Sequence, residues 1–158
     1  MLADFAERLR GTVHRLVLLL RGVGETALRT KVDGSWSILQ NAGHLGDVEE
    51  LWVQRIDDLR AGRAAYTPAD PERFRSLADA HQTRSAGDVV DYLATRRAPL
   101  LDALACADES LQRSEAFHER LRVPMRVVDL AQFVAEHDDN HLLRIRQLRH
   151  HLGLSAAD

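Results

Sequence analysis

The sequence predicts an all-α protein, an antiparallel four-helix bundle forming one domain over 1–158. Three observations predict it. Apolar residues recur at steps of three and four along four long stretches. Two of the connections between those stretches are too long to be simple bundle turns. A chain of 158 residues with one cysteine can bury a single core without disulfide staples.

The first helix is expected over about residues 2 to 22. Leu2, Phe5, Leu9, Val13, Leu16 and Leu20 form its stripe, and Gly22 and Gly24 end it. His14 falls beside the stripe and reads as a partly exposed structural residue. After a turn at Asp33-Gly34, a second helix is expected from Ser35, as N-cap, to about Ala61. Its buried face carries Leu45, Val48, Trp52, Ile56 and Leu59. His44 lies close to that face, flanked by Gly43 and Gly46. A glycine inside a helix costs about 1 kcal/mol against alanine. The two glycines therefore point to something that needs room beside His44, or to close helix packing.

Gly62 to Arg84 is a long connection. Asp70-Pro71-Glu72 predicts a short extra helix inside it, with Phe74 and Leu77 tucked inward. His81, just beyond, reads as a solvent-facing loop residue. Ser85-Ala86-Gly87-Asp88 opens a third helix that runs to about Ala107. Pro99 within it predicts a kink or break, and Cys106 reads as a small buried side chain. Asp108 to Pro124 reads as polar and irregular. It contains Glu115-x-x-His118, the unit of di-iron bundles, but as a single copy in a loop. The last helix begins near Arg126 or Val127 and ends before Gly153, leaving Ser155 to Asp158 as a fraying tail.

Composition excludes several functions. With 21 basic and 24 acidic residues, and a net charge of -3, nothing drives the chain toward nucleic acid. The longest apolar run, Leu16 to Leu20, is far too short to span a bilayer. No signal peptide is expected, and the single cysteine fits a cytoplasmic protein. It also rules out a cysteine-based zinc site within one chain.

The last helix carries the informative pattern. Leu130, Val134, His137, His141, Ile145, Leu148 and Leu152 make one stripe, so two histidines four residues apart share its inward face. Imidazole loses water on burial and its nitrogens need partners. A divalent metal bound by both is one explanation; separately hydrogen-bonded core histidines are the other. With His44 turned inward on helix two, three imidazoles would converge. Three ligands leave a fourth position open, as in catalytic rather than structural zinc sites.

Trp36-Ser37-Ile38-Leu39-Gln40-Asn41-Ala42-Gly43-His44-Leu45 resembles the W-S-x-x-(E/Q)-x-x-x-H-L stretch of the DinB/YfiT-like superfamily. His137-Asp138-Asp139-Asn140-His141 resembles its H-D-x-x-H signature. The resemblance covers the chain from the first helix to Leu152. It implies a four-helix bundle, often dimeric, with His44, His137 and His141 as ligands of one divalent metal. Zinc or nickel is expected, with iron or manganese as alternatives. Gln40 departs from the glutamate of many relatives, which puts a base at that position in doubt. No catalytic residue is assigned. Asp47, one turn from His44, is a candidate to accept that histidine's free ring N–H. Asp138 is a candidate to orient a neighbouring group or pair with another helix.

The relatives imply three functions. One is an S-transferase in which the metal activates a low-molecular-weight thiol for attack on a small-molecule electrophile. The second is a hydrolase that activates water at the metal. The third is a non-catalytic stress-response binding module. Arg55, Arg63 and Arg144 are available to anchor a thiol's carboxylates. A homodimer through helix faces is expected from the resemblance and from the surplus of apolar residues at Val17 to Leu20.

Overall fold

The computed structural model describes residues 1–154, so the expected tail at Ser155 to Asp158 lies outside the described residues. Four long helical segments build the bundle: α1 (Leu2–Leu20), α3 (Ile38–Asp47) continued by α4 (Glu49–Arg60), α6 (Ala86–Ala105) and α8 (Val127–His151). Short elements fill the connections: α2 (Glu25–Arg29), α5 (Pro71–Ala80), α7 (Glu109–Arg113), and the strands β1 (Glu115–His118) and β2 (Val123–Arg126).

α1 packs against α6 and α8, and α3 packs against the same two helices. The first and second long segments therefore lie diagonally, as do the third and fourth, while the second is a direct neighbour of both the third and the fourth. Asn41 meets His141 while Trp52 meets Phe133, so α3–α4 and α8 run antiparallel. Thr12 meets Asp138 and Leu19 meets Arg149, so α1 and α8 run parallel. Asp47 meets Tyr92 and Arg60 meets Ala103, so α3–α4 and α6 also run parallel. Parallel neighbours need a connection that returns along the bundle. That is the physical reason for the long segment between α4 and α6, where α5 lies.

Several local expectations shift. The second helix starts at Ile38, because Ser37 rather than Ser35 is its N-cap. Ser37 Oγ accepts from Gln40 N–H, and Gln40 Oε1 accepts from Ser37 N–H (3.0 Å), a reciprocal capping box. The helix is interrupted at Val48, which keeps helical angles (φ −86°, ψ −10°). α6 runs unbroken through Pro99, which is exposed. Cys106 caps the end of α6 and is exposed rather than buried. The segment expected to be irregular holds an antiparallel hairpin, Glu115 opposite Arg126 and His118 opposite Val123. On a strand, residues three apart point to opposite faces. Glu115 is exposed and His118 buried, so they form no metal-binding unit.

The core has two apolar clusters. One gathers around Leu9, Trp52, Leu100 and Val134; the other gathers around Leu16, Leu45, Leu93 and Ile145. Buried polar residues separate them: Thr12, Glu49, Arg97 and Asp138 on one side, and the histidines on the other. Leu19 and Leu20 of the apolar run belong to the second cluster, which leaves Val17 exposed. No helix of the described residues is long and apolar enough to cross a membrane.

Candidate metal centre

The capping box fixes the first turn of α3, and the following turn carries Asn41 and His44. Because α8 runs antiparallel beside it, His137 and His141 arrive at the same level. The three imidazoles offer nitrogens that all lie within 4.8 Å of one another. Ring centroids are 4.7 Å apart for His137 and His141 and 4.8 Å for His44 and His141. Trp36 lies against His44 (4.9 Å), and Trp52 lies against His137 (5.6 Å).

Asn41 sets the state of His141. Asn41 Nδ2 donates to the backbone carbonyls of Trp36 (3.2 Å) and Ser37 (2.9 Å). That orientation leaves Asn41 Oδ1 as an acceptor, 2.9 Å from His141 Nδ1. His141 Nδ1 is then the protonated nitrogen, and Nε2 keeps its lone pair. Burial, with the cations that His137 and His44 would become, pushes His141 down to about 2. Burial, then His137, brings His44 down to about 4. Both rings are neutral at pH 7, the state in which imidazole binds a metal. The Nδ1 atoms of His44 and His137 are buried and make no hydrogen bond, although that of His137 lies 3.9 Å from Asp138 Oδ1. Buried polar groups are normally satisfied, so the orphaned His44 nitrogen, within the three-imidazole cluster, fits a bound cation.

The cluster forms one wall of a cavity of about 950 Å³. His44 and His137 line it, together with Trp36, Trp52, Phe74 and Phe133, while His141 stands behind them. This is an ordinary size for a small-molecule site. The open side of the cluster thus faces a mostly apolar chamber.

The carboxylates singled out from the sequence are engaged elsewhere. Asp47 does not reach His44. It accepts from His81 Nε2 (3.0 Å) and from the Tyr92 hydroxyl (3.1 Å). His81 is accordingly buried at 2% exposure, not solvent-facing. The two glycines are explained by close packing: a Cβ on Gly43 would lie 2.2 Å from the His81 ring, and one on Gly46 would lie 2.5 Å from Tyr92. Asp138 turns away from the cavity and binds Arg97 Nη1 (2.8 Å) and the Thr12 hydroxyl (2.7 Å). Burial works against its charge, but His137, Arg97 and Thr12 outweigh it and hold the carboxyl below its usual range. Gln40 completes the cap and donates to Asp79 (2.6 Å). His14 is exposed. Arg55 lines the main cavity, Arg63 pairs with Asp58, and Arg144 borders a smaller cleft behind Trp36. Sequence reasoning missed Asn41 and Arg97. Asn41 stood inside the recognised motif, one turn before His44, and that spacing was the available signal. Nothing marked Arg97.

The model of the DinB superfamily matches residues 8–145. Among solved structures the chain is similar to YfiT from Bacillus subtilis, described as a probable metal-dependent hydrolase with an unusual four-helix bundle topology. The TM-score is 0.83 at 17% identity, over 98% of this chain and 89% of that one. It is also similar to a mycothiol-dependent maleylpyruvate isomerase, with TM-score 0.73 at 12% identity. That match spans 92% of this chain but 60% of the isomerase. A Streptococcus pneumoniae protein gives 0.71 at 13% identity, over 94% and 90% of the two chains. No curated protein matches the chain. At these identities the structures establish a shared fold, and the family model establishes membership. The chain belongs to the DinB superfamily.

Proposed function

We propose that the chain is a metal-dependent enzyme that transfers a low-molecular-weight thiol to a small electrophile. His44, His137 and His141 would hold one divalent cation, zinc or nickel. When bound, such a cation favours a thiolate over its thiol near neutral pH. Asn41 keeps His141 in the tautomer that presents Nε2. Trp36 and Trp52 pack against the rings and keep water from their outer faces.

The observation that carries this reading is where the polar side chains next to the histidines in sequence are engaged. Asp47, Asp138 and Gln40 are each committed to another partner. The one carboxylate among the lining residues is Glu119, on the hairpin loop. Hydrolysis of an amide or ester normally wants a positioned group to move protons; attack by a thiolate does not need one at the nucleophile. The similarity to YfiT favours hydrolysis as the second reading.

The test offers zinc- or nickel-loaded protein a panel of thiols with a chloronitroaromatic acceptor, beside a panel of activated esters. The expected result is thiol consumption that is lost in His44→Ala. Metal-dependent ester turnover with no effect of thiol would select hydrolysis instead.

A further inference from the structure

Arg55, on α4, is 3% exposed and lines the cavity that the histidines open into. Its guanidinium lies 5.2 Å from the centre of the Trp52 ring, which in turn touches His137. Its Nε donates to the Thr67 carbonyl (3.0 Å). No carboxylate among the described residues pairs with it. Asp58, whose charge favours the Arg55 cation, accepts from Thr67 N–H (2.6 Å) and pairs with Arg63. Burial brings the Arg55 guanidinium down to about 10, so it remains a cation at neutral pH. A buried cation without a counter-charge is costly.

The contact with His118 sharpens the point. Leu121 N–H donates to His118 Nδ1 (3.2 Å), and His118 Nε2 lies 3.1 Å from Arg55 Nη1. A neutral imidazole has one acceptor nitrogen. With Nδ1 accepting, Nε2 carries the proton, and two donors face each other inside the cavity wall. An acceptor oxygen to one side, within hydrogen-bond reach of both, would satisfy both. Arg120 and Arg122, from the loop joining β1 and β2, line the same wall.

We propose that Arg55 and His118, backed by Arg120 and Arg122, form an anion subsite in this cavity, and that its ligand is a carboxylic acid with an apolar body. The apolar body is required by the rest of the lining, where Trp52, Tyr66, Phe74 and Phe133 dominate. The inference deepens the reading above, since it rests on this cavity being the substrate site. The carboxylate can belong to the electrophile or to the thiol's tail; the charge that Arg55 meets is the same.

The experiment measures binding by calorimetry to the full chain in chelator, without metal. Benzoate is compared with benzamide, and N-acetylcysteine with its amide. A charge-assisted hydrogen bond predicts that at least one acid binds about tenfold or more tighter than its amide. Preference for benzoate places the carboxylate on the acceptor; preference for N-acetylcysteine alone places it on the thiol. Arg55→Gln should reduce the acid to the level of the amide, and Arg63→Gln, outside the cavity, should change nothing. Equal binding of acid and amide in both pairs overturns the proposal, as does a preference that survives Arg55→Gln. If that variant does not fold, the acid-to-amide ratio of the intact chain still decides. Leaving out metal separates the two readings. A chain that prefers benzoate but takes up no zinc keeps the subsite and loses the metal, and the opposite result does the reverse.

Discussion

His137 and Asp138 are adjacent on α8, yet their side chains end in opposite kinds of surroundings. Asp138 meets Arg97, whose five N–H groups all find acceptors: Glu49, Asp138 and the Leu9 carbonyl. Thr12 joins from α1, so the cluster ties α1, α4, α6 and α8 together. One oxygen, Oε2 of Glu49, lacks a partner. Burial pushes that carboxyl up to about 7 despite the Arg97 cation. On the cavity side, two of three clustered imidazoles have a buried nitrogen that makes no hydrogen bond, that of His137 lying 3.9 Å from Asp138 Oδ1. The first polar cluster pairs every Arg97 N–H with an acceptor and leaves over a single carboxylate oxygen, so it is structural. The second has its geometry set by the chain, through Asn41 and the antiparallel pairing, and its bonding left incomplete. Burial alone does not separate the two; the fate of each lone pair and N–H does.

The sharpest way to break the comparison is Arg97→Ala. It strands Asp138 and Glu49 in the core and should cost about 3–5 kcal/mol in urea unfolding. The loss should be the same with and without zinc. Zinc at about a hundredfold over its dissociation constant should stabilise the wild-type chain by about 2.7 kcal/mol by mass action. His141→Ala should remove that increment while the chelated protein still unfolds cooperatively. Failure of His141→Ala to fold would move the histidines into the structural class. Gly43→Ala drives a methyl into the His81 ring and should cost about 1–3 kcal/mol, with zinc uptake unchanged. Asn41→Ala should fold and weaken zinc affinity about 10–100-fold, seen by competition with a chromophoric chelator. Unchanged affinity there would mean that the Asn41 bond does not prepare His141.

The fold class was legible because the four stripes are long and regular. The histidine pair was legible because four-residue spacing on a helix decides which side chains share a face. Other features depend on partners far apart in the chain. Arg97 lies 48 positions from Glu49 and 41 from Asp138, and no local pattern links them. Asp47 was read against His44, its neighbour one turn away, but the α5–α6 connection brings His81 to it instead. The hairpin was missed because two four-residue strands, one containing Pro124, give too short an alternation to stand out. Helix order was not legible either, since periodicity marks a buried face without saying which helix covers it.

The account rests on a cation at the three imidazoles, and the direct measurement is metal content. Protein purified without chelator, then titrated with zinc or nickel at pH 7, should hold one metal per chain by elemental mass spectrometry. The variant with His44, His137 and His141 all changed to alanine should hold none. A wild-type chain that takes up neither metal, or a triple variant that takes up as much as the wild type, would contradict the account.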